Sequence, residues 1–318
     1  MKLHKDKYAF LTLIHKIHDR SRIREDILEK DYYVTLLLEE LSEKQEQLPA
    51  YFKGGTALYK ALKSIRRFSE DIDLTVDIGG CSSSQAKKRL ELASRRYRSL
   101  PRTSRHDLED NRKGSITTVY DYTPVAAIDS GDPLQRFGVV KIEATSFTVS
   151  EPFSTLEIEP SLYTFSSEDE KSILTEQFDV FPFPIKTICL ERIFADKIFA
   201  AEFYYQRSLY FDTAKHIYDV SVMLQLDPIQ KLLKDDKQFH TMLNYKRLEE
   251  TRRIGSDLSD KHFRDFRIFK NLSQNKTLSN AYLKMQRNYI FSPIDTLPYE
   301  YIIQQWSYLE EALKLLDT

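Results

Sequence analysis

Cysteine is nearly absent: 318 residues carry two, Cys81 and Cys189. They have no metal-ligand spacing and cannot build a disulfide framework, which fits a reducing cytosol. Glycine and proline are also sparse, at eight and eleven residues, which argues against long disordered stretches. No apolar run approaches the length that crosses a bilayer, and the N-terminus shows no signal-peptide core, so a cytoplasmic protein without a membrane partner is expected. Neither charge sign dominates. The 47 Lys and Arg against 48 Asp and Glu give a formal net charge of -1, so any nucleic-acid contact must use local patches. No internal repeat is present. What remains is 30% charged and 41% hydrophobic, the composition of a soluble globular chain long enough for two domains with proper cores.

The most informative stretch runs from Tyr51 to Asp77, YFKGGTALYKALKSIRRFSEDIDLTVD. Leu48 to Lys53 reads as a short strand, and Gly54, Gly55 and Thr56 follow at once. Glycine permits positive φ and close approach of a ligand to the backbone. Ala57 to Ile65 then reads as a helix with Leu58, Leu62 and Ile65 on one face. A strand, a glycine turn and a helix start cluster free backbone N–H groups, which suits a phosphate. Thr56 is expected to cap this helix or to offer its hydroxyl to the phosphate. The plain alternative is a tight turn with a threonine cap. From Asp71 the chain alternates polar and apolar, so Asp71 and Asp73 share one strand face while Ile72, Leu74 and Val76 share the other. Adjacent carboxylates repel unless a cation lies between them, and Mg²⁺ is commonly held by one or two carboxylates plus substrate phosphates. The alternative is a solvated edge strand.

The rest of the chain is read around that stretch. Residues 1 to about 47 read as helices, with Lys30 and Asp31 expected at the surface or in salt bridges. A second Gly-Gly, Gly79-Gly80, ends the carboxylate strand, and a helix from Ser84 to about Ser99 follows. Its Lys87, Lys88, Arg89, Arg95, Arg96 and Arg98, continued by Arg102 and Arg105, form either a solvated face or a nucleic-acid backbone contact. Ser115 to Tyr122 and Val139 to Ala144 read as strands, with a turn at Asp129-Ser130-Gly131-Asp132-Pro133. Lys141 and Glu143 share a face of the second strand and need a partner or a metal; a cross-strand salt bridge is the alternative for Glu143. Residues 150 to 186 look like strands and loops joining two domains. A long helix is expected from Thr187 and the remainder is mostly helical. Its basic positions, Lys246-Arg247, Arg252-Arg253 before Gly255 and Lys261 to Lys270, serve RNA, a protein partner or simple cover of the core.

KGGTAL followed by RFSEDIDL resembles the signature of the AbiEii/AbiGii-type toxins, members of the polymerase-β-like nucleotidyltransferase superfamily. Glu29-Lys30-Asp31-Tyr32-Tyr33-Val34 is similar to a further family segment, and the resemblance allows it a supporting role near the nucleotide site. Leu190 to Ala200 is similar to the family's E-x-x-x-A-x-K-x-x-A helix, with Glu191, Ala195, Lys197 and Ala200 in matching places. Lys215-His216-Ile217-Tyr218-Asp219-Val220 is similar to its [RK]-[DH]-x-Y-D-L element, departing at Val220. The resemblance implies a site in which Asp71 and Asp73, completed by Glu143, hold Mg²⁺ or Mn²⁺. Gly54, Gly55 and Thr56 bind the phosphates, and Lys197 neutralises the leaving pyrophosphate. Asp219 acts as general base or orients Lys197, and His216 contacts nucleotide or acceptor. A surface lysine, a buried ion-pair carboxylate and a packing histidine are the alternatives for these three.

The expected fold is α/β (α+β): a nucleotidyltransferase-like mixed sheet with helices over residues 1–185, then a helical C-terminal domain over 186–318 that closes the nucleotide cleft. The expected function is metal-dependent transfer of a nucleotide from a nucleoside triphosphate to an acceptor hydroxyl, on tRNA. The resemblance implies a toxin of a toxin–antitoxin or phage-defence system, with a cognate antitoxin as partner. A non-catalytic nucleotide-binding module and a metal-dependent nuclease are the alternatives.

Overall fold

Helix α1 (Lys7–Ser21) begins where the Asp6 carboxylate accepts the Ala9 N–H, and it ends at Arg22 in the left-handed region. Helix α2 (Glu25–Lys44) places Glu25 and Asp26 in its first turn, where they complement the helix dipole. A strand and a helix then meet without a loop: β1 (Ala50–Lys53) runs directly into α3 (Gly54–Lys60). The computed structural model describes residues 2–128, 138–147, 152–254, 258 and 261–314. The expected turn at Asp129–Pro133, the side chains of Arg252-Arg253 and the break at Gly255 lie outside the described residues.

Six more strands complete a sheet: β2 (Ile72–Val76), β3 (Asp110–Arg112), β4 (Ser115–Asp121), β5 (Val139–Thr145), β6 (Phe153–Ile158) and β7 (Phe183–Ile188). Their order is β3-β4-β5-β2-β1-β7-β6. The sheet is mixed: β2 pairs with β1 antiparallel and with β5 parallel, and β1 pairs with β7 parallel. The carboxylate strand is therefore central. Ile72, Leu74, Ile142 and Ala144 on one face are fully buried, which fixes the register, because a one-residue slip would expose all of them. Helix α4 (Ser83–Ser94) starts with a capping box between Ser82 and Gln85 and packs on the sheet.

Two expectations are corrected in this region. The helix after β1 starts at Gly54 rather than Ala57, and Thr56 lies inside it instead of capping it; Lys53 stands at the cap. Residues 150 to 186 hold the expected strands, β6 and β7, but also two helices where loops were expected, the short α5 (Ser161–Thr164) and α6 (Glu168–Phe178). The acidic run Glu168-Asp169-Glu170 is the first turn of α6, where Ser167 and Glu170 form a capping box. Lys30 and Asp31 take the salt-bridge branch of their expectation: Lys30 lies 2.9 Å from Glu70, and Asp31 lies 2.7 Å from Lys60, all four buried.

The chain divides into two compact units. The first comprises Met1–Leu62, Phe68–Ser146 and Phe153–Thr187; the second comprises Lys63–Arg67, Phe147–Pro152 and Ile188–Thr318. The second unit is helical: α7 (Leu190–Gln206), α8 (Tyr210–Met223), α9 (Asp227–Lys234), α10 (Asp236–Ile254), α11 (Arg267–Asn271), α12 (Lys276–Tyr289) and α13 (Tyr299–Lys314). The helix expected from Thr187 begins at Leu190, because β-branched Ile185, Thr187 and Ile188 continue β7. Helices α12 and α13 pack on α8. Glu202 of α7 accepts the first N–H groups of α11, from Arg267 at 3.0 Å and Ile268 at 2.9 Å. Among the described residues no helix is long and apolar enough to cross a membrane.

Trp306 of α13 anchors this bundle. It is buried, and its indole N–H donates to the Ile217 carbonyl at 3.2 Å. Trp306→Ala is expected to cost about 3–5 kcal/mol, the usual penalty for emptying a large core position, read as a lowered denaturant midpoint.

Candidate active site

The first unit gathers six of the residues singled out in the sequence. Residues on neighbouring strands that pair by Cα share a face of the sheet. Asp73 of β2 pairs with Lys53 of β1 and with Glu143 of β5, and Glu143 pairs with Thr117 of β4. Thr117, Glu143, Asp73 and Lys53 therefore form one half-exposed polar row across four strands. Neighbouring strands stand about 4.8 Å apart, so the carboxylates of Asp73 and Glu143 are side by side. Asp71 immediately precedes β2, two residues before Asp73, and is also half-exposed.

The glycine turn abuts this row. Gly54 has φ +79°, and a Cβ built there would lie 2.1 Å from Asp73 Oδ2 and 2.9 Å from Asp73 Cγ. The Asp73 carboxylate thus rests against the Gly54 backbone in space that only glycine leaves open. Gly55 and Thr56 are buried behind it. The Thr56 hydroxyl donates to the Asp71 backbone carbonyl at 2.5 Å, so its proton ties α3 to the entry of β2.

Among the described residues no group of three His, Cys, Asp or Glu side chains converges to hold a metal by protein ligands alone. An adjacent pair of carboxylates facing a phosphate-sized turn is a different kind of donor set. It fits Mg²⁺ or Mn²⁺, hard cations that accept one or two carboxylates and take their remaining oxygens from phosphates and water.

The second unit holds Lys197, His216 and Asp219. Asp219 has no exposed surface. Arg67 grips it with two bonds of 2.6 Å, Nε to Oδ1 and Nη2 to Oδ2, and Lys197 Nζ lies 3.0 Å from Oδ2. Burial pushes the Asp219 carboxyl up, but Arg67 and Lys197 beside it outweigh this and hold it below the ordinary aspartate range. His216 is half-buried, and its ring stacks on Tyr204 with centroids 5.2 Å apart.

Half of the basic run after Gly80 is paired with carboxylates. Arg95 pairs with Glu91, Arg98 with Glu40 and Glu43, Arg102 with Glu109, and Arg105 with Asp121. Lys87, Lys88 and Arg96 are exposed. Two residues beside the named ones escaped the sequence reading. Lys53 is recognisable only once the register of β1 is known, and Arg67 meets Asp219 across 152 positions.

The family model described as nucleotidyl transferase AbiEii toxin, type IV toxin–antitoxin system, matches residues 36–310. The chain belongs to this family. It is a nucleotidyltransferase and the toxin of a type IV toxin–antitoxin system, which implies a nucleoside triphosphate substrate and an antitoxin partner. Comparison with curated proteins gives no match. The AbiEii assignment covers the glycine turn, the acid row and the Arg67–Asp219–Lys197 group alike.

Two outcomes follow from the geometry. Gly54→Ala adds a methyl group where Asp73 Oδ2 lies, at a positive φ. Displacing a reacting group by about 1 Å costs on the order of 10²-fold, so nucleotide transfer is expected to fall by about that factor, measured with labelled triphosphate, while the protein still folds. Asp219 has a lowered folded value, so its stability contribution is whole above the ordinary aspartate value of 3.8 and is lost as pH falls through the lower one. Asp219→Asn is expected to lose about 3–5 kcal/mol at pH 7. In denaturant unfolding the gap to the wild type should persist to pH 4 and narrow only below it.

Proposed function

We propose that this AbiEii-family toxin moves a nucleotide from a triphosphate to a hydroxyl of tRNA in a Mg²⁺- or Mn²⁺-dependent reaction, within the cytoplasm and in the service of phage defence. The observation that carries this reading is the register that sets Asp73 beside Glu143 while Gly54 leaves room for the Asp73 carboxylate. The adjacent pair Asp73 and Glu143 would hold the metal together with phosphate and water oxygens, and Asp71 is carried as a further carboxylate for it. When bound, the metal supplies charge neutralisation at the triphosphate and polarises the α-phosphorus.

The residues of the chain carry the remaining roles. The backbone at Gly54 and Gly55 would receive phosphate oxygens, and buried Thr56 keeps that turn at a fixed distance from Asp71. In the transfer step the acceptor hydroxyl oxygen bonds to the α-phosphorus, the bond from that phosphorus to the β-phosphate oxygen breaks, and pyrophosphate leaves. The acceptor proton passes to solvent or base. Lys197 enters the proposal as the cation for the pyrophosphate. Asp219 enters it as the group that orients Lys197, since both of its oxygens are engaged by cations and neither is exposed. His216 is carried as a nucleotide or acceptor contact.

The test is incubation of the protein with mixed tRNA, Mg²⁺ and each α-labelled nucleoside triphosphate in turn. Labelled, lengthened tRNA is expected with wild type. Asp71→Ala and Asp73→Ala are each expected to lower it by at least about 10³-fold, as is chelation of the metal. Shortened RNA would favour a nuclease instead, and binding of triphosphate without turnover would favour a non-catalytic module.

A further inference from the structure

Three consecutive residues of α2, Glu29, Lys30 and Asp31, are each 1% exposed. Successive side chains on a helix point about 100° apart, so this turn of α2 is enclosed on every side. All three residues are charged, and each engages a different segment of the first unit. Glu29 accepts the N–H groups of Val125 at 2.8 Å and Ala126 at 2.9 Å, in the chain that leaves β4. Lys30 Nζ donates to Glu70 Oε2 at 2.9 Å, and Glu70 is the residue before Asp71. Asp31 Oδ1 accepts from Lys60 Nζ at 2.7 Å and from the Tyr59 hydroxyl at 2.5 Å, at the end of α3. Its Oδ2 accepts the Ser161 N–H at 2.6 Å.

Stability does not explain this arrangement. Replacing a buried ion pair by apolar residues of similar size is often neutral or favourable, whereas breaking one is costly. What a buried, hydrogen-bonded pair supplies is a fixed geometry. Helix α3, which begins with the glycine turn, is held at its start by Thr56 and at its end by Asp31. The chain entering the acid strand is held by Lys30. Both ends of the spacing between glycine turn and carboxylates are thus referred to one turn of α2.

We propose that Lys30 and Asp31 are positioning residues for nucleotide transfer, setting the distance between the Gly54-Gly55 turn and the Asp71–Asp73 carboxylates without touching substrate, while Glu29 ties the same turn of α2 to the chain leaving β4. This inference rests on the reading of Asp71 and Asp73 as metal-holding groups. Residues that orient metal ligands from behind typically change metal affinity or activity by about 10–100-fold when altered.

The test uses the full chain and the pair Lys30–Glu70. Lys30→Met alone removes the cation 2.9 Å from buried Glu70, and is expected to lower the thermal midpoint. Lys30→Met combined with Glu70→Met removes both charges, and is expected to bring the midpoint back to that of wild type. In that double variant Mn²⁺ affinity, measured by titration with a non-hydrolysable triphosphate present, is expected to stay about tenfold weaker. Its kcat for labelling mixed tRNA is expected to stay about 10–100-fold low. A double variant with wild-type midpoint, Mn²⁺ affinity and kcat would overturn the proposal, because the pair would then be structural only. Glu70→Asp keeps both charges and shortens the reach by one methylene, so it answers the question should the double variant fail to fold. A roughly tenfold lower kcat with triphosphate KM unchanged is expected, and wild-type kinetics would overturn the proposal. Asp71→Ala is measured in parallel: wild-type Mn²⁺ affinity and transfer in that variant would remove the metal reading itself, independently of any result at Lys30.

Discussion

Most of the first unit can be understood from one steric fact: a carboxylate occupies the space where a side chain on Gly54 would begin. Asp73 Oδ2 would stand 2.1 Å from such a Cβ, well inside any tolerable contact. The strand carrying Asp73 must therefore run close beside the turn that carries Gly54. Their antiparallel pairing, Lys53 opposite Asp73, delivers that closeness. Burial of Ile72 and Leu74 on the opposite face then decides which way Asp73 points. Backbone hydrogen bonding, core burial and glycine's missing side chain all require the same arrangement, and agreement between levels is how a sequence specifies one structure.

Charge is handled differently in the two units. In the first, the acids of the polar row remain half-exposed, where a divalent ion and a triphosphate can reach them. In the second, Asp219 is buried with Arg67 and Lys197 on its oxygens. Two adjacent cations make this carboxylate a poor proton acceptor, because protonating it would cancel its attraction to both.

Much of this was legible in the sequence because it depends on short-range pattern. Alternation from Asp71 to Val76 gave the carboxylate face, and Val139 to Ala144 gave Glu143 its side of the sheet. The glycine pair marked the turn. What the pattern could not deliver were the partners chosen by tertiary structure. Lys30 and Glu70 lie 40 positions apart, and Arg67 and Asp219 lie 152 apart, so their burial has no local signature. Propensity placed Thr56 at a cap, but the hydroxyl found the Asp71 carbonyl instead. The helix at Glu168 was readable, since a serine three positions before a glutamate announces a helix start, although residues 150 to 186 read as strands and loops.

Lys63–Arg67 belongs to the second unit although the residues on both sides of it belong to the first. The chain therefore crosses between the units more than once, and the second is not a separable C-terminal piece. A fragment beginning at Ile188 would carry Asp219 in its interior without Arg67, one of the two cations that neutralise it. Such a fragment would have to bury a carboxylate that has lost its two-bonded partner, which is the costly way to break a buried ion pair.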